Sequence, residues 1–281
     1  MASRSASSSP AIAPSRRRTT DGVTGDLPFS PDSRFVAAVR PSPNHNERRG
    51  TGRPDAILLH YTGMVSGAAA LARLCEPAAE VSAHYVVEED GTVFQLVPEM
   101  HRAWHAGRGT WAGGSDLNSA SIGIEIVNGG HDFGLPPYPD QQIVSVIALC
   151  RDIIGRHGIA AHRILAHSDV APTRKQDPGE HFPWSRLAAS GIGLWVPPGD
   201  DPSPLEPEAT LAFQHELARV GYALPQTGLW DEDTRRVVVA FQRRYRPSRI
   251  DGTLDAGTRD TLARLMALRF PADPAGPPGH A

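Results

Sequence analysis

Strand-length apolar runs alternate with amphipathic helical stretches through residues 32–196, and that alternation restricts the region to sheet layers packed against helices. The strongest signal spans residues 140–157, where Ile143, Ile147, Cys150 and Ile154 share one helical face and Gly158 follows as a stop. Residues 66–75 predict a second helix, stopped by Pro77. Residues 56–59 are an apolar run ending at His60, the pattern of a buried strand. Residues 84–88 and 92–97 predict two strands, with Asp90-Gly91 as the hairpin turn between them. Residues 121–127 alternate as a strand does, and residues 163–167 predict a short strand running into a loop. The expected fold class is α/β (α+β), a mixed central β-sheet flanked by helices.

A second region, residues 205–270, predicts three helices and therefore a small C-terminal three-helix bundle. Phe213, Leu217 and Val220 mark the first helix, Val237, Phe241 and Tyr245 the second, and Thr258, Leu262 and Leu265 the third. The loops before the second and third helices repeat one pattern, Gly228…Asp231…Thr234 and Gly252…Asp255…Thr258. In each, the Asp or Thr can cap the helix that follows. The Pro-rich residues 197–204 predict a stiff linker between the two regions. Residues 1–31 are rich in Ser, Pro, Ala and Arg and predict a disordered segment, and residues 271–281 a Pro/Gly-rich tail.

The net charge of −3 leaves no basic excess to attract nucleic acid. Two Arg clusters stand out. Arg16-Arg17-Arg18 sits in the N-terminal segment, and Arg243-Arg244-Tyr245-Arg246 reads as the solvated end of a helix. No apolar run approaches the roughly 18 residues of a transmembrane helix. Residues 1–21 carry neither the apolar stretch of a signal peptide nor a lipid-attachment cysteine. Cys75 and Cys150 fall in helical stretches outside any CxxC pair. They read as buried free thiols, with a disulfide between them as the alternative. Two cysteines cannot build a thiolate metal site, so a metal here needs His and carboxylate ligands.

The chain has 12 histidines, too many for all to be functional, and position selects among them. His60 and His167 both stand at the C-terminal ends of expected strands, where loops present functional groups from a rigid scaffold. Ten residues after His167 comes Asp177, at the end of a Pro-containing loop. Two His and one carboxylate make a three-ligand catalytic zinc site with a fourth position open. The alternative is two strand-end histidines hydrogen-bonded to neighbouring backbone. His215-Glu216-Leu217-Ala218-Arg219 is a broken HExxH motif. Arg219 replaces the second ligand and Leu217 belongs to a core face, so it reads as ordinary helix.

Five segments occur in a fixed order: Leu58-Leu59-His60-Tyr61-Thr62, Ser82-Ala83-His84-Tyr85, Ala103-Trp104-His105-Ala106-Gly107, Ser121-Ile122-Gly123-Ile124-Glu125, and His167-Ser168-Asp169 leading to Arg174-Lys175-Gln176-Asp177-Pro178-Gly179. Together they resemble the zinc-dependent N-acetylmuramoyl-L-alanine amidases related to phage lysozyme-type amidases and peptidoglycan-recognition proteins, over residues 32–196. The second region resembles the three-helix peptidoglycan-binding domain through Phe213-Gln214, Gly221-Tyr222, Phe241-Gln242 and the Gly…Asp…Thr loops. It departs from that family at Thr227-Gly228, where Asp-Gly is common, and keeps Asp251-Gly252 in the second loop.

The resemblance implies one Zn2+ held by His60, His167 and Asp177. It implies Glu125 as the acid/base that activates water, and Lys175 as the cation beside the metal. Read without it, Glu125 is a strand-edge carboxylate and Lys175 a surface loop lysine. Tyr85, His84, Trp104, His105, Asn128 and Arg174 match positions around the family's substrate cleft. The implied substrate is peptidoglycan or a muropeptide, cut between the lactyl group of N-acetylmuramic acid and L-alanine. The small module would hold the enzyme on polymeric wall by tethering. A wall-binding module points to the cell envelope or periplasm, whereas residues 1–21 point to the cytoplasm. Two other functions suit the same scaffold: a non-catalytic wall receptor, and a zinc peptidase acting within the stem peptide.

Overall fold

The computed structural model describes residues 28–271. Expectations for residues 1–27 and 272–281 lie outside the described residues. In chain order the elements are β1 (Ala38–Val39), β2 (His45–Glu47), β3 (Ala56–Tyr61), α1 (Gly67–Cys75), β4 (Tyr85–Val87), β5 (Val93–Gln95), β6 (His101–Ala103), α2 (Leu117–Ala120), β7 (Ser121–Ile126), α3 (Asp140–His157), β8 (Ile164–Ala166), α4 (His167–Val170), α5 (Trp184–Ala189), α6 (Thr210–Val220), α7 (Glu232–Tyr245) and α8 (Ala256–Arg269). Six strands form the central sheet, in the order β1-β5-β4-β7-β3-β8. β4 and β5 pair antiparallel, and the remaining neighbours pair parallel, so the sheet is mixed as expected. Asp90 Oδ1 accepts the Thr92 N–H at 2.8 Å and closes the β4–β5 hairpin. β2 and β6 form a separate antiparallel pair. Their polar sequences, three residues each, carry no strand signal, and the expected loop after β8 is instead the single helical turn α4.

The two faces of the sheet bury different partners. Ile57, Leu59, Ile122, Ile124, Ile126 and Ile164 pack against Ile143, Val146, Ile147, Leu149, Cys150 and Ile153 of α3. The helix ends at Gly158, in the left-handed conformation that glycine favours. On the opposite face Leu58 and Leu165 join a cluster with Phe213, Leu217, Val220, Tyr222, Val237 and Phe241. The C-terminal helices therefore share a core with the sheet. Gly221 permits this close approach. A Cβ there would lie 2.5 Å from the Trp111 ring, and its φ of +132° is disfavoured for other residues. Residues 197–204 lie along the start of α8: Gly199 N–H donates to Thr261 Oγ1 (2.8 Å), and Asp201 and Ser203 carbonyls accept from Gly257 and Ala256 (2.8 Å each).

Inside the helical module the sequence repeat is a repeat of hydrogen bonds. Asp231 caps α7 through the Thr234 N–H, and Asp255 caps α8 through the Thr258 N–H, at 2.8 Å each. Gln214 Oε1 accepts the Gly228 N–H while its Nε2 donates to Thr234 Oγ1, and Gln242 makes the same pair with Gly252 and Thr258. Thr227 takes part of the role of Asp251: each accepts the N–H two residues on, from Leu229 and Thr253.

One expectation is reversed here. Arg243, Tyr245 and Arg246 join Arg244 as buried residues, not the solvated end of a helix. Arg244 pairs with Asp169, Arg246 with Asp255 at 2.7 Å, and Arg243 lies 3.5 Å from Glu180. Each cation is accommodated because a carboxylate elsewhere in the fold meets it. Cys75 and Cys150 are free, the first partly and the second fully buried.

Glu99 fastens the end of α3 to the sheet. Burial alone would raise its carboxyl, but hydrogen bonds from Arg156, His157 and Tyr85, and the Arg156 charge, outweigh that and hold it at about 2. A depressed carboxyl stabilises the fold above its unfolded pKa and loses that contribution as pH falls through the folded value. Between pH ~5 and ~2 the protein should therefore lose about 3 kcal/mol at this group. Acid titrations of stability should be correspondingly shallower for Glu99→Gln. Calorimetry should find one unfolding transition for both regions, and Phe241→Ala should weaken that single transition by about 3–5 kcal/mol. Two separated transitions would mean that the shared core does not couple them.

Candidate metal centre and active-site cleft

β3 and β7 run in parallel in a register that sets His60 opposite Glu125. Side chains alternate along a strand, so with Ile57, Leu59, Ile124 and Ile126 facing α3, both His60 and Glu125 leave the sheet on the other face. On the far side of β3, β8 leads into α4, whose first residue is His167. Ser168 N–H donates to the Asp177 carbonyl at 3.0 Å, fastening the turn to the loop that carries Asp177. Two imidazoles and one carboxylate thus meet from three segments. His60 Nδ1, His167 Nδ1 and Asp177 Oδ2 are each 2.9 Å from the other two, and all three residues are buried.

The proton inventory of this triangle shows what it is built for. His167 Nε2 donates to the Ala106 carbonyl at 2.9 Å, which turns Nδ1 toward the triangle. Burial would raise the Asp177 carboxyl, but His167 and His60 outweigh it and hold the group well below the usual carboxylate range. His167 Nδ1 and Asp177 Oδ2 therefore face each other in direct contact at 2.9 Å. A single proton on His60 Nδ1 cannot bridge all three contacts. Burial, then neighbouring His167, pushes the His60 imidazole down to about 4, so the His60 ring is neutral at neutral pH. Two imidazole nitrogens and one carboxylate oxygen, buried and converging on one point, fit a cation at their centre. His60 Nε2 lies 3.1 Å from His105 Nδ1, which orients the His60 ring.

Glu125 stands beside the triangle, with Oε2 buried and without a hydrogen-bond partner among the described residues. Burial raises its carboxyl well above the ordinary value, Asp177 adds to the rise, and Lys175 opposes it. These groups line one cleft of about 400 Å3, together with Tyr61, Arg73, Ser82, Trp104, His105, His131 and Arg174.

Of the residues matched to the substrate cleft, Trp104 and His105 do line it. Trp104 is held by an Nε1–H bond to Asn46 Oδ1 at 3.0 Å. His105 fits because residue 123 is glycine; a Cβ there would sit 2.4 Å from the imidazole. Three others are placed elsewhere. Tyr85 is fully buried in the sheet core, with its hydroxyl donating to Glu99 at 2.6 Å. His84 is fully buried between the Gly123 N–H (2.9 Å) and the His101 carbonyl (3.0 Å), and burial, then Arg48, pushes it down to about 3. Asn128 is buried and shapes the following loop, accepting from Gly130 N–H and donating to the Pro136 carbonyl at 2.9 Å each. Arg174 lines the cleft, but its guanidinium is committed to the Ala106 and Arg108 carbonyls, which leaves little of it for a substrate carboxylate.

Sequence reading missed Tyr61, Arg73 and His131. The Tyr61 hydroxyl lies 3.0 Å from His131 Nδ1, and His131 Nε2 lies 3.1 Å from Glu180. The signal that could have found His131 is its place just past the C-terminal end of β7, after the Gly129-Gly130 turn.

Residues 50–180 match the N-acetylmuramoyl-L-alanine amidase family, and residues 206–262 match the peptidoglycan binding domain family. The N-acetylmuramoyl-L-alanine amidase AmiD of Escherichia coli (strain K12) is 37% identical over 232 residues, 76% of this chain and 83% of that one. The chain belongs to the N-acetylmuramoyl-L-alanine amidases. The solved complex of AmiD from E. coli with anhydro-N-acetylmuramic acid-L-Ala-D-γ-Glu-L-Lys superposes with a TM-score of 0.69 at 35% identity, covering 78% of this amidase and 90% of that chain. AmpDh3 of Pseudomonas aeruginosa, solved with anhydromuramic pentapeptide, gives a TM-score of 0.67 at 33% identity, over 78% and 93% of the two chains.

The triangle predicts a stoichiometry. Elemental analysis of the purified amidase should find one divalent metal per chain, and His167→Ala should reduce it to near zero. Full metal occupancy in that variant would rule out the triangle as the binding site.

Proposed function

We propose that this protein is a single-zinc amidase that hydrolyses the bond between N-acetylmuramic acid and L-alanine in peptidoglycan or muropeptides. One observation carries the reading: two imidazole Nδ1 atoms and one carboxylate oxygen converge at 2.9 Å from one another, beside Glu125, at the floor of an open cleft. Two nitrogens and one oxygen, with room for a fourth ligand, suit zinc in its catalytic form. Bound there, zinc supplies Lewis acidity toward the amide carbonyl and lowers the pKa of water to about 7.

The remaining steps belong to the protein. Glu125 Oε2 takes the proton of the attacking water and delivers it to the leaving amine of L-alanine. Its raised proton affinity suits both halves of that transfer, since a carboxylate near its ordinary value would hold a proton too weakly to protonate an amine. Lys175 stabilises the oxyanion that develops on the carbonyl, a contribution typically worth about 3 kcal/mol. Trp104 forms a wall of the cleft against which a sugar ring can stack. Similarity to relatives solved with anhydromuramyl peptides supports a substrate that contains both sugar and stem peptide.

Mass spectrometry of a digested muropeptide tests the reaction. The expected product is a stem peptide with a free L-alanine amino terminus, formed without chelator and absent with it. Cleavage within the stem peptide would replace the amidase reading with a peptidase. Glu125→Gln should keep its zinc and lose about 100-fold or more in kcat. A variant with near-normal turnover would mean that another group moves the proton.

A further inference from the structure

The turn that presents His167 is gripped from the C-terminal helices. α4 begins at His167, and its third residue, Asp169, is fully buried and has no part in the reaction steps above. Asp169 Oδ2 accepts the Ala166 N–H at 2.9 Å, closing the turn on itself. The other partners of this carboxylate come from the second region. The Tyr222 hydroxyl donates to Oδ1 at 2.7 Å, and Arg244 Nη1 donates to Oδ2. Arg244 is 3% exposed, and its guanidinium lies 4.0 Å over the Trp184 ring. Its Nη2 donates to the Ile164 carbonyl at 3.0 Å. One guanidinium thus holds both ends of the segment from Ile164 to Asp169, in which β8 gives way to the turn bearing the ligand.

We propose that Tyr222 and Arg244 are positioning residues for His167, so that the C-terminal helices complete the metal centre as well as serving any hold on polymer. A buried ion pair is a poor means of stabilisation compared with apolar side chains of the same volume, because desolvation offsets the attraction. What it supplies is direction: both Asp169 oxygens are fixed, and the backbone of the ligand turn with them. Groups that orient metal ligands from behind typically change metal affinity or activity by about 10–100-fold. A module that acted only as a tether would raise effective concentration on polymer and leave a small soluble substrate untouched.

The inference rests on His167 being a zinc ligand, and the test separates the two. The full chain would be used throughout. Tyr222→Phe removes one hydroxyl and keeps the ring packed edge-on to Trp111. Arg244→Lys keeps the charge but loses the two-ended grip. Leu265→Ala removes buried volume from the same helical core without touching the bonds of Asp169. For each, zinc affinity is measured by chelator competition, kcat and KM on a soluble muropeptide, and Tm by calorimetry. Tyr222→Phe and Arg244→Lys should weaken zinc binding about tenfold or more and lower kcat with KM little changed. Leu265→Ala should lower Tm at least as far while keeping zinc affinity and kcat. Wild-type zinc affinity in both positioning variants, or an equal loss in Leu265→Ala, overturns the inference. A wild-type chain that binds no zinc overturns the ligand assignment itself.

Discussion

His167 Nδ1 and Asp177 Oδ2 face each other at 2.9 Å in a buried corner shared with His60, and the sheet around them is arranged to hold that contact. Left to itself in water, such a pair would be free to separate. It stays because each member is fixed from behind: His167 by the Ala106 carbonyl, the Asp177 loop by Ser168, and the opposing His60 by β3 in the middle of the sheet. A cation at the centre would be attracted by all three groups, so metal binding and the rigidity of this corner would be thermodynamically linked. The same arrangement fixes the Glu125 carboxyl beside it, because the β3–β7 register that places His60 also places Glu125.

The rest of the fold follows from a division of labour between the two sheet faces. One face is predominantly apolar and is covered by α3. The other is split: its end near His60 and Glu125 opens into the cleft, and Leu58 and Leu165, further back along the same strands, are buried by the C-terminal helices. A chemically active face cannot be covered completely, and a half-exposed apolar face is unstable in water. Sharing that face between a cleft and a second helical region satisfies both constraints. It also explains why the helical region is more than a passenger, since its removal would expose the apolar floor next to the metal centre.

Much of this was legible in the sequence, and the reason is local. α3 appears as an unbroken helical period ended by Gly158, and the main strands as apolar runs, because burial on a regular element leaves a periodic trace. The candidate ligands were legible through position: His60 is the last residue but one of β3, and His167 follows β8 directly. The short strands β2 and β6 left no such trace, since three polar residues paired at an edge bury nothing periodic. Tyr85, His84 and Asn128 show the opposite error. They flank the cleft in sequence, yet their polar atoms are taken up by Glu99, the Gly123 backbone and the 130–136 loop. Their place is behind the cleft wall rather than on it.

The Arg243–Arg246 cluster marks the limit of reading charge from sequence. Three arginines in four residues at a helix end suggest solvent, because the cost of burying a cation is large unless a partner is waiting. Here the partners are waiting, but 9 residues away for Asp255, 63 for Glu180 and 75 for Asp169, so no local pattern announces them. Arg246 closes the helical module on itself, whereas Arg243 and Arg244 leave it: one reaches the Glu180–His131–Tyr61 chain at the cleft rim, the other the turn beneath His167. Adjacent residues of one helix therefore touch two separate supports of the same site. An isolated wall-binding module would gain nothing from burying charges in that direction, and a catalytic region that folded alone would leave Asp169 without its cation. Arg243 and Arg244 thus tie the helical region to two different elements of the amidase region.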